Sequence, residues 1–70
     1  MSKNKEIISI IEQISDKEIN NYNLRFVEDL NFDSLDTVVL LSRLEKELDI
    51  YVKDSEVQKL ITVQHLIDFI

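Results

Sequence analysis

The sequence predicts an all-α protein: a small antiparallel bundle of three main helices and one short helix, with a long loop between helices one and two. Three observations predict this fold. Apolar residues recur at helical spacing in three separate segments. Glycine and proline are both absent, so the tight turns of β-hairpins lack the glycine they favour. The chain has 70 residues, the size of one domain, and we expect residues 1–70 to form a single domain.

The first predicted helix covers residues 4–14. Its isoleucines recur every three or four positions and would form one buried face, while the glutamates lie away from that face. Ser2 or Asn4 is the expected N-cap, because short polar side chains are favoured there. The isoleucines of this face are Ile7, Ile10, Ile11 and Ile14.

Residues 15–33 show no sustained period and predict the long loop. Loops of this length inside a small domain are unusual and are often functional. The segment begins with polar residues and then carries scattered apolar ones, so we expect it to pack over the helices. Those apolar residues are Leu24, Phe26, Val27 and Leu30.

Residues 34–48 predict the second helix. Asp33 is a good N-cap, and Asp36, three residues later, supplies the acidic half of a capping box. At 100° per residue, four apolar side chains cluster on one side and Leu40 lies at the edge of that cluster. The four are Val38, Leu41, Leu44 and Leu48.

Two further apolar residues of this helix, Leu35 and Val39, fall nearer its polar side. They are four positions apart and therefore adjacent on the helix surface. One interpretation is a contact surface for a partner. The other is that Leu35 packs beneath the long loop and Val39 is an ordinary exposed valine, since single surface hydrophobics are common. The sequence leaves both open.

The remaining chain predicts a short connection over 49–54, a brief helical turn over 55–60 and a last helix. Asp54 or Ser55 would cap the turn, and Thr62 would cap the last helix. One face of that helix is apolar, which indicates burial. Its members are Val63, Leu66, Ile67 and Ile70.

Composition excludes several classes of function. Cysteine is absent, which rules out disulfides and thiolate chemistry. Fourteen acidic and eight basic residues give a net charge of −6, so nucleic acid is not an expected partner. The charge fits a basic protein partner, but the simpler interpretation is that it keeps a small protein soluble. No apolar run approaches the roughly 18 residues of a membrane span, and the N-terminus has no signal-peptide pattern. We therefore expect a soluble, cytoplasmic protein.

Catalytic and metal sites are not expected either. The one histidine, His65, lies on the polar side of the last helix and is interpreted as a solvated surface residue. Residues 29–40 open like a calcium-binding EF-hand loop, but Ser34 replaces its glycine and Leu40 replaces its bidentate glutamate. The sequence therefore predicts no metal site and no enzyme.

Ser34 would occupy the first turn of the second helix, where backbone N–H groups lack helical partners and the helix dipole favours negative charge. A phosphate ester on its hydroxyl would suit that position, although Asp33 and Asp36 would repel it outward. On local sequence alone, helix capping is the simpler interpretation of this serine.

The segment FVEDLNFDSLDTVVLL, residues 26–41, resembles the signature of the acyl carrier proteins, in which Asp-Ser-Leu opens the second helix. The resemblance extends over essentially the whole chain. It implies a freestanding, non-enzymatic carrier in which Ser34 bears 4′-phosphopantetheine from coenzyme A. The thiol of that arm would hold acyl chains as thioesters, in fatty acid biosynthesis.

The resemblance also implies a partner surface and a cargo cavity. The expected partners are a phosphopantetheinyl transferase and acyl-transferring, condensing or ligase enzymes with basic docking patches, and the protein itself is expected to be a monomer. The partner-binding residues, including Val39 from the exposed apolar pair, are Asp33, Leu35, Asp36, Val39, Glu45, Glu47 and Asp54. The expected lining of the cavity is Val38, Leu41, Ile50, Leu60 and Ile67.

The sequence departs from the family pattern at several positions. Asn31 stands where glycine is common, and asparagine tolerates the left-handed backbone better than most residues. Lys53 replaces a usual proline, and Val39, Arg43 and Lys46 interrupt the acidic side of the second helix. A specialised carrier for a polyketide, lipid-modifying or aminoacyl pathway therefore remains an alternative. A helical interaction module without a prosthetic group is a second alternative.

Overall fold

The computed structural model describes residues 3–70, and within them every regular element is helical. The helices are α1 (Lys3–Ser15), α2 (Ser34–Leu48), α3 (Asp54–Val57) and α4 (Val63–Phe69). Instead of a strand, residues 3–70 hold one isolated antiparallel bridge, between Arg25 and Thr62. The predicted all-α class is confirmed, with one short helix and the long loop between α1 and α2.

Helix α1 buries the isoleucine face that its spacing predicts. Ile7, Ile10 and Ile11 are buried, and Ile14 packs against them while half-exposed. The prediction of Asn4 as N-cap is wrong, because Asn4 lies inside the helix. The other candidate, Ser2, lies outside the described residues.

The long loop, residues 16–33, packs over the helices as expected. Its backbone is fastened to the start of α4: the Phe26 N–H donates to the Ile61 carbonyl at 3.0 Å, and the Val63 N–H donates to the Leu24 carbonyl at 3.0 Å. Val27 is the exception, being 68% exposed. The side chains that the loop contributes to the core are Ile19, Phe26, Leu30 and Phe32.

Helix α2 has the bounds that the sequence predicts, but its buried face is rotated. Leu40 and Leu44 are buried, Leu41 and Leu48 are half-buried, and Val38 is 61% exposed. The prediction of Val38 as a core residue is therefore wrong. Apolar residues surround much of this helix, so periodicity alone did not fix which of them faces α1 and the loop.

The helical turn predicted over 55–60 begins one residue earlier and is shorter, as α3 (Asp54–Val57). Helix α3 begins at Asp54, so neither Asp54 nor Ser55 is its cap; Lys53 is the cap residue and makes no side-chain capping bond. Helix α4 agrees with the sequence, because the Thr62 hydroxyl accepts a hydrogen bond from the His65 N–H. On the predicted apolar face, Val63 and Leu66 are buried, whereas Ile70 is exposed.

Within residues 3–70, three residues hold a left-handed backbone that glycine would favour: Asp16, Asn31 and Asp49, with φ of 58°, 57° and 57°. Asn31 lies between the buried side chains of Leu30 and Phe32, and Asp49 ends α2. All are Asn or Asp, as a chain without glycine requires.

Replacing Asp49 by glycine is expected to raise the free energy of unfolding by about 0.5 kcal/mol, because the left-handed conformation then carries no Cβ clash. Alanine at the same position should lower it by about 1 kcal/mol. Chemical denaturation of both variants measures the difference. Equal stabilities would show that Asp49 carries no backbone strain.

Candidate functional site

The start of α2 is organised by two aspartates. The Asp36 N–H donates to Asp33 Oδ1 at 2.8 Å, and the Asp33 N–H donates in return to Asp36 Oδ2 at 3.2 Å. The Thr37 hydroxyl donates to the Asp33 carbonyl at 3.1 Å. This reciprocal capping box is the one that the sequence predicts. The cap of α2 is therefore Asp33.

Ser34 is the first residue of α2, and its side chain is exposed. Its hydroxyl has no hydrogen-bond partner among residues 3–70. The interpretation of Ser34 as a helix cap is thus wrong, because the N-cap residue is Asp33, whose side chain accepts the capping hydrogen bond. Ser34 therefore presents a free hydroxyl at the N-terminus of α2, next to the capping box.

An apolar cavity of about 250 Å³ lies between α2, the long loop and the segment around α3. Its buried lining includes the rings of Phe26 and Phe32, whose centroids are 5.2 Å apart. Arg25 and Glu28 also line it and form an exposed ion pair at 2.8 Å. The remaining lining residues are Val27, Thr37, Leu40, Leu41, Val57, Gln58, Leu60, Ile61 and Leu66.

Ser34 does not line this cavity, but it precedes two of the α2 residues that do. Thr37 and Leu41 are three and seven residues beyond it, so the three side chains follow one line along the helix. Of the five predicted lining residues, Leu41 and Leu60 are correct, whereas Val38, Ile50 and Ile67 lie outside the cavity. Phe26 was expected to pack over the helices, but neither it nor Phe32 was predicted to line the cavity, because no local pattern shows which helix the loop covers.

The predicted partner-binding residues do not form one uniform surface. Leu35 is 69% exposed and does not pack beneath the loop, and Val39 is 38% exposed. The carboxylates of Asp33 and Asp36 are both occupied in the capping box. Glu45 is exposed on α2, and Asp54 is exposed at the start of α3. Only Asp33, Leu35 and Asp36 thus place acidic and apolar groups next to Ser34.

Glu47 is engaged within the protein. Arg43 Nε donates to Glu47 Oε2 at 2.6 Å, and Arg43 Nη1 donates to Gln13 Oε1 on α1 at 2.9 Å. The hydrogen bond from Arg43, followed by its charge, lowers the pKa of the Glu47 carboxyl, and the same bond raises the pKa of Arg43. This chain of contacts ties α2 to α1.

Glu47→Gln is expected to lower the Tm at pH 7 and to have no effect at strongly acidic pH. A depressed carboxyl pKa contributes stability above its ordinary value of 4.5, and that contribution is lost as the pH falls through the folded-state value. Thermal unfolding of both proteins from pH 7 to pH 3 measures this. Glu45→Gln removes the same charge without an ion pair and is the control; an equal response of both variants would contradict the prediction.

His65 is exposed, as predicted, but it also has a structural contact. Its Nδ1 accepts hydrogen bonds from the N–H groups of Ile61 and Thr62, at 3.2 and 3.3 Å. The ring therefore completes the capping box of α4. The signal was present in the sequence, since His65 follows Thr62 by the three residues of that motif.

Asp33→Ala is expected to lower the free energy of unfolding by about 1 kcal/mol, because it removes the N-cap of α2. Ser34→Ala should change it by less than about 0.5 kcal/mol, because the hydroxyl has no partner. Urea denaturation of both variants distinguishes them. A larger loss for Ser34→Ala would mean that the serine supports the fold.

No helix within residues 3–70 has both the length and the apolar character needed to cross a membrane.

The domain is small and helical, presents a free serine hydroxyl at the start of α2 and has an apolar cavity between α2 and the long loop. Residues 5–70 match the family model described as "Phosphopantetheine attachment site". The fold is similar to that of a "putative acyl carrier protein" from Mycobacterium tuberculosis, with 30% identity and a TM-score of 0.84, over 93% of this chain and 89% of that one.

The chain therefore belongs to the phosphopantetheine attachment-site family, and it is an acyl carrier protein-like domain. Its prosthetic group is 4′-phosphopantetheine, and it is a carrier, not an enzyme. The alternative of an interaction module without a prosthetic group is set aside by this match.

Proposed function

We propose that the protein is an acyl carrier protein that bears 4′-phosphopantetheine on Ser34 and carries acyl chains in fatty acid biosynthesis. One observation carries the assignment of Ser34: its hydroxyl is exposed and unbonded while Asp33 caps the helix. We further propose that residues 1–70 act as a single cytoplasmic carrier domain. Its partners are a phosphopantetheinyl transferase and the enzymes that load and use the acyl group.

The surroundings of Ser34 fit a phosphodiester. Ser34 Oγ bonds to the phosphorus next to pantetheine in coenzyme A, the pyrophosphate bond of coenzyme A breaks, adenosine 3′,5′-bisphosphate leaves, and the hydroxyl proton is released. The N-terminus of α2 favours the negative charge that results. Asp33 and Asp36 repel that charge, which directs the attached group away from the helix end. When bound, the group supplies a terminal thiol that holds the acyl chain as a thioester.

The cavity supports an aliphatic cargo. Its buried lining consists of apolar and aromatic side chains from the loop, α2 and α4. An apolar cavity of roughly 150 Å³ binds benzene in another protein. The larger volume of about 250 Å³ here can accept a short to medium alkyl chain. A charged aminoacyl group would have to lose its hydration to enter.

A dedicated carrier for a polyketide, lipid-modifying or aminoacyl pathway is the second candidate. The observation that favours it is the mixed character of α2, where Val39, the Arg43–Glu47 pair and Lys46 interrupt the acidic surface. An enzyme that reads a continuous acidic helix would find fewer contacts here. The two candidates differ in cargo, so loading by acyl ligases or by aminoacyl ligases separates them.

The test of Ser34 is the intact mass after incubation with coenzyme A and a phosphopantetheinyl transferase. Wild type is expected to gain one phosphopantetheine, and Ser34→Ala none. Ser42→Ala, which removes another exposed serine of α2, is the matched control and should be modified like wild type. Modification of the Ser34→Ala variant would show that the attachment site is another residue. An unmodified wild type, both in this assay and when isolated from its own host, would reject the assignment.

A further inference from the structure

The peptide group between Ile61 and Thr62, here called the 61–62 peptide, is hydrogen-bonded at both ends. Its carbonyl, on Ile61, accepts the Phe26 N–H at 3.0 Å, and its N–H, on Thr62, donates to His65 Nδ1 at 3.3 Å. The C=O and N–H of a planar trans peptide point in opposite directions, so the long loop binds one side of this peptide and α4 binds the other. Rotation of the peptide would weaken both bonds.

The imidazole of His65 fixes the orientation of that peptide. Its Nδ1 also accepts the Ile61 N–H at 3.2 Å, which is shared with the Lys59 carbonyl at 3.1 Å. The backbone of His65 is held in turn, because its N–H donates to the Thr62 hydroxyl at 3.2 Å. Hydrogen bonds that are linked through one group strengthen one another, so the His65 bond supports the bond to Phe26.

The 61–62 peptide joins two walls of the cavity. Leu60 and Ile61 line it from the segment before α4, and Phe26, whose ring packs against Phe32, lines it from the loop. Within residues 3–70, three backbone hydrogen bonds connect the loop with residues 61–64. The Phe26–Ile61 bond is the one of the three in which both residues line the cavity.

The contribution of His65 comes from its acceptor nitrogen rather than from packing. The side chain is exposed, whereas Val63 and Leu66 supply the buried contacts of α4. Removing Nδ1 would leave the Thr62 N–H without this acceptor and would free the 61–62 peptide to turn. The side chain can therefore affect the cavity without touching it.

We propose that His65 is a positioning residue of the cavity: through the 61–62 peptide it holds Phe26 in the cavity wall, and so it determines how completely the acyl chain is buried. The inference rests on the proposed acyl cargo. It assigns a role in cargo retention to an exposed residue that does not line the cavity.

Three substitutions separate the acceptor from the other features of His65. His65→Phe keeps an exposed aromatic ring and removes the acceptor. His65→Asn restores an acceptor, since its Oδ1 is as many bonds from the backbone as Nδ1; Asp36 accepts the Asp33 N–H in this way at the start of α2, at 3.2 Å. Thr62→Val is the matched control, because it removes the hydroxyl that caps α4 and keeps Nδ1.

Amide hydrogen exchange of the unacylated protein tests the positioning without any cargo. In His65→Phe the Phe26 N–H should exchange about three- to tenfold faster, the factor for losing one hydrogen bond. The reference is the Leu30 N–H, which donates to the Arg25 carbonyl within the loop. His65→Asn and Thr62→Val should keep the wild-type ratio of the two rates.

The gain in Tm on acylation tests the effect on cargo. With a medium acyl chain, the gain for His65→Phe should fall to about half of the wild-type gain or less, because a chain partly in water loses part of its transfer free energy. His65→Asn should keep most of the gain. Thr62→Val should lower the Tm of the acylated and unacylated forms alike, which leaves their difference unchanged.

Equal gains for His65→Phe and wild type would overturn the inference. An equal reduction in Thr62→Val would also overturn it, because the cap of α4 would then matter as much as the acceptor. Absence of any gain in wild type would instead reject the acyl cargo, so the two failures are distinguishable. Circular dichroism establishes that each variant is folded, and His65→Ala, which also lacks the acceptor, replaces His65→Phe if that variant is not.

Discussion

Replacement of Leu44 by alanine is expected to lower the free energy of unfolding by about 2–5 kcal/mol, the range for removing a fully buried leucine side chain. Leu44 is 0% exposed and belongs to the core formed with the isoleucines of α1. A domain of this size has a small stability reserve, so the variant should be largely unfolded at 37 °C. The measurement is urea denaturation followed by circular dichroism.

Leu35→Ala is the matched control for that experiment. It makes the same chemical change in the same helix at a side chain that is 69% exposed. Its expected loss is below about 0.5 kcal/mol, because little apolar area returns to water. Equal losses in the two variants would mean that α2 does not bury the face described here.

Loading the carrier with acyl chains of increasing length is expected to raise the Tm, on the order of 10 °C for a medium chain. Each buried CH₂ contributes about 0.8 kcal/mol, and each kcal/mol shifts the Tm of a domain of this size by about 4–8 °C. Ordering the chain offsets part of this gain. The rise should end when the cavity of about 250 Å³ is full. Thermal unfolding of a series of acyl forms measures the dependence.

Variants that fill the cavity distinguish burial of the acyl chain in the cavity from a general effect of acylation on the Tm. Leu41→Phe places a larger side chain in the cavity lining and should reduce the gain in Tm on acylation. Leu48→Phe, at a half-buried position of α2 outside the lining, should keep it. A Tm independent of chain length would contradict an acyl site in this cavity. An aminoacyl cargo should give no rise, since its ammonium group resists burial.

Local chemistry allowed much of the fold to be predicted. Asp33 and Asp36 form the expected capping box, and α2 has the expected bounds. Thr62 caps α4 in the same way. Asn31 adopts the left-handed backbone that replaces glycine. These features depend on residues within a few positions of one another, so propensity and spacing determine them. The place of Ser34 in the first turn of α2 follows from the same local rules, although its interpretation as a cap was wrong because Asp33 is the cap.

The face that α2 buries was decided by tertiary structure. Val38 and Leu40 are both apolar and only two positions apart, yet Val38 is 61% exposed and Leu40 is 4% exposed. The choice depends on how α1 and the loop pack against the helix, which no short pattern encodes. The cavity has the same origin, because Phe26 and Phe32 line it from the loop, whose backbone is hydrogen-bonded to the distant Ile61. Sequence alone thus determined where α2 and α4 begin and that Ser34 lies in the first turn of α2, because those features depend on neighbours in the chain. Tertiary packing decided which side chains stay in solvent beside that serine and which form the cavity, because those depend on contacts between distant segments.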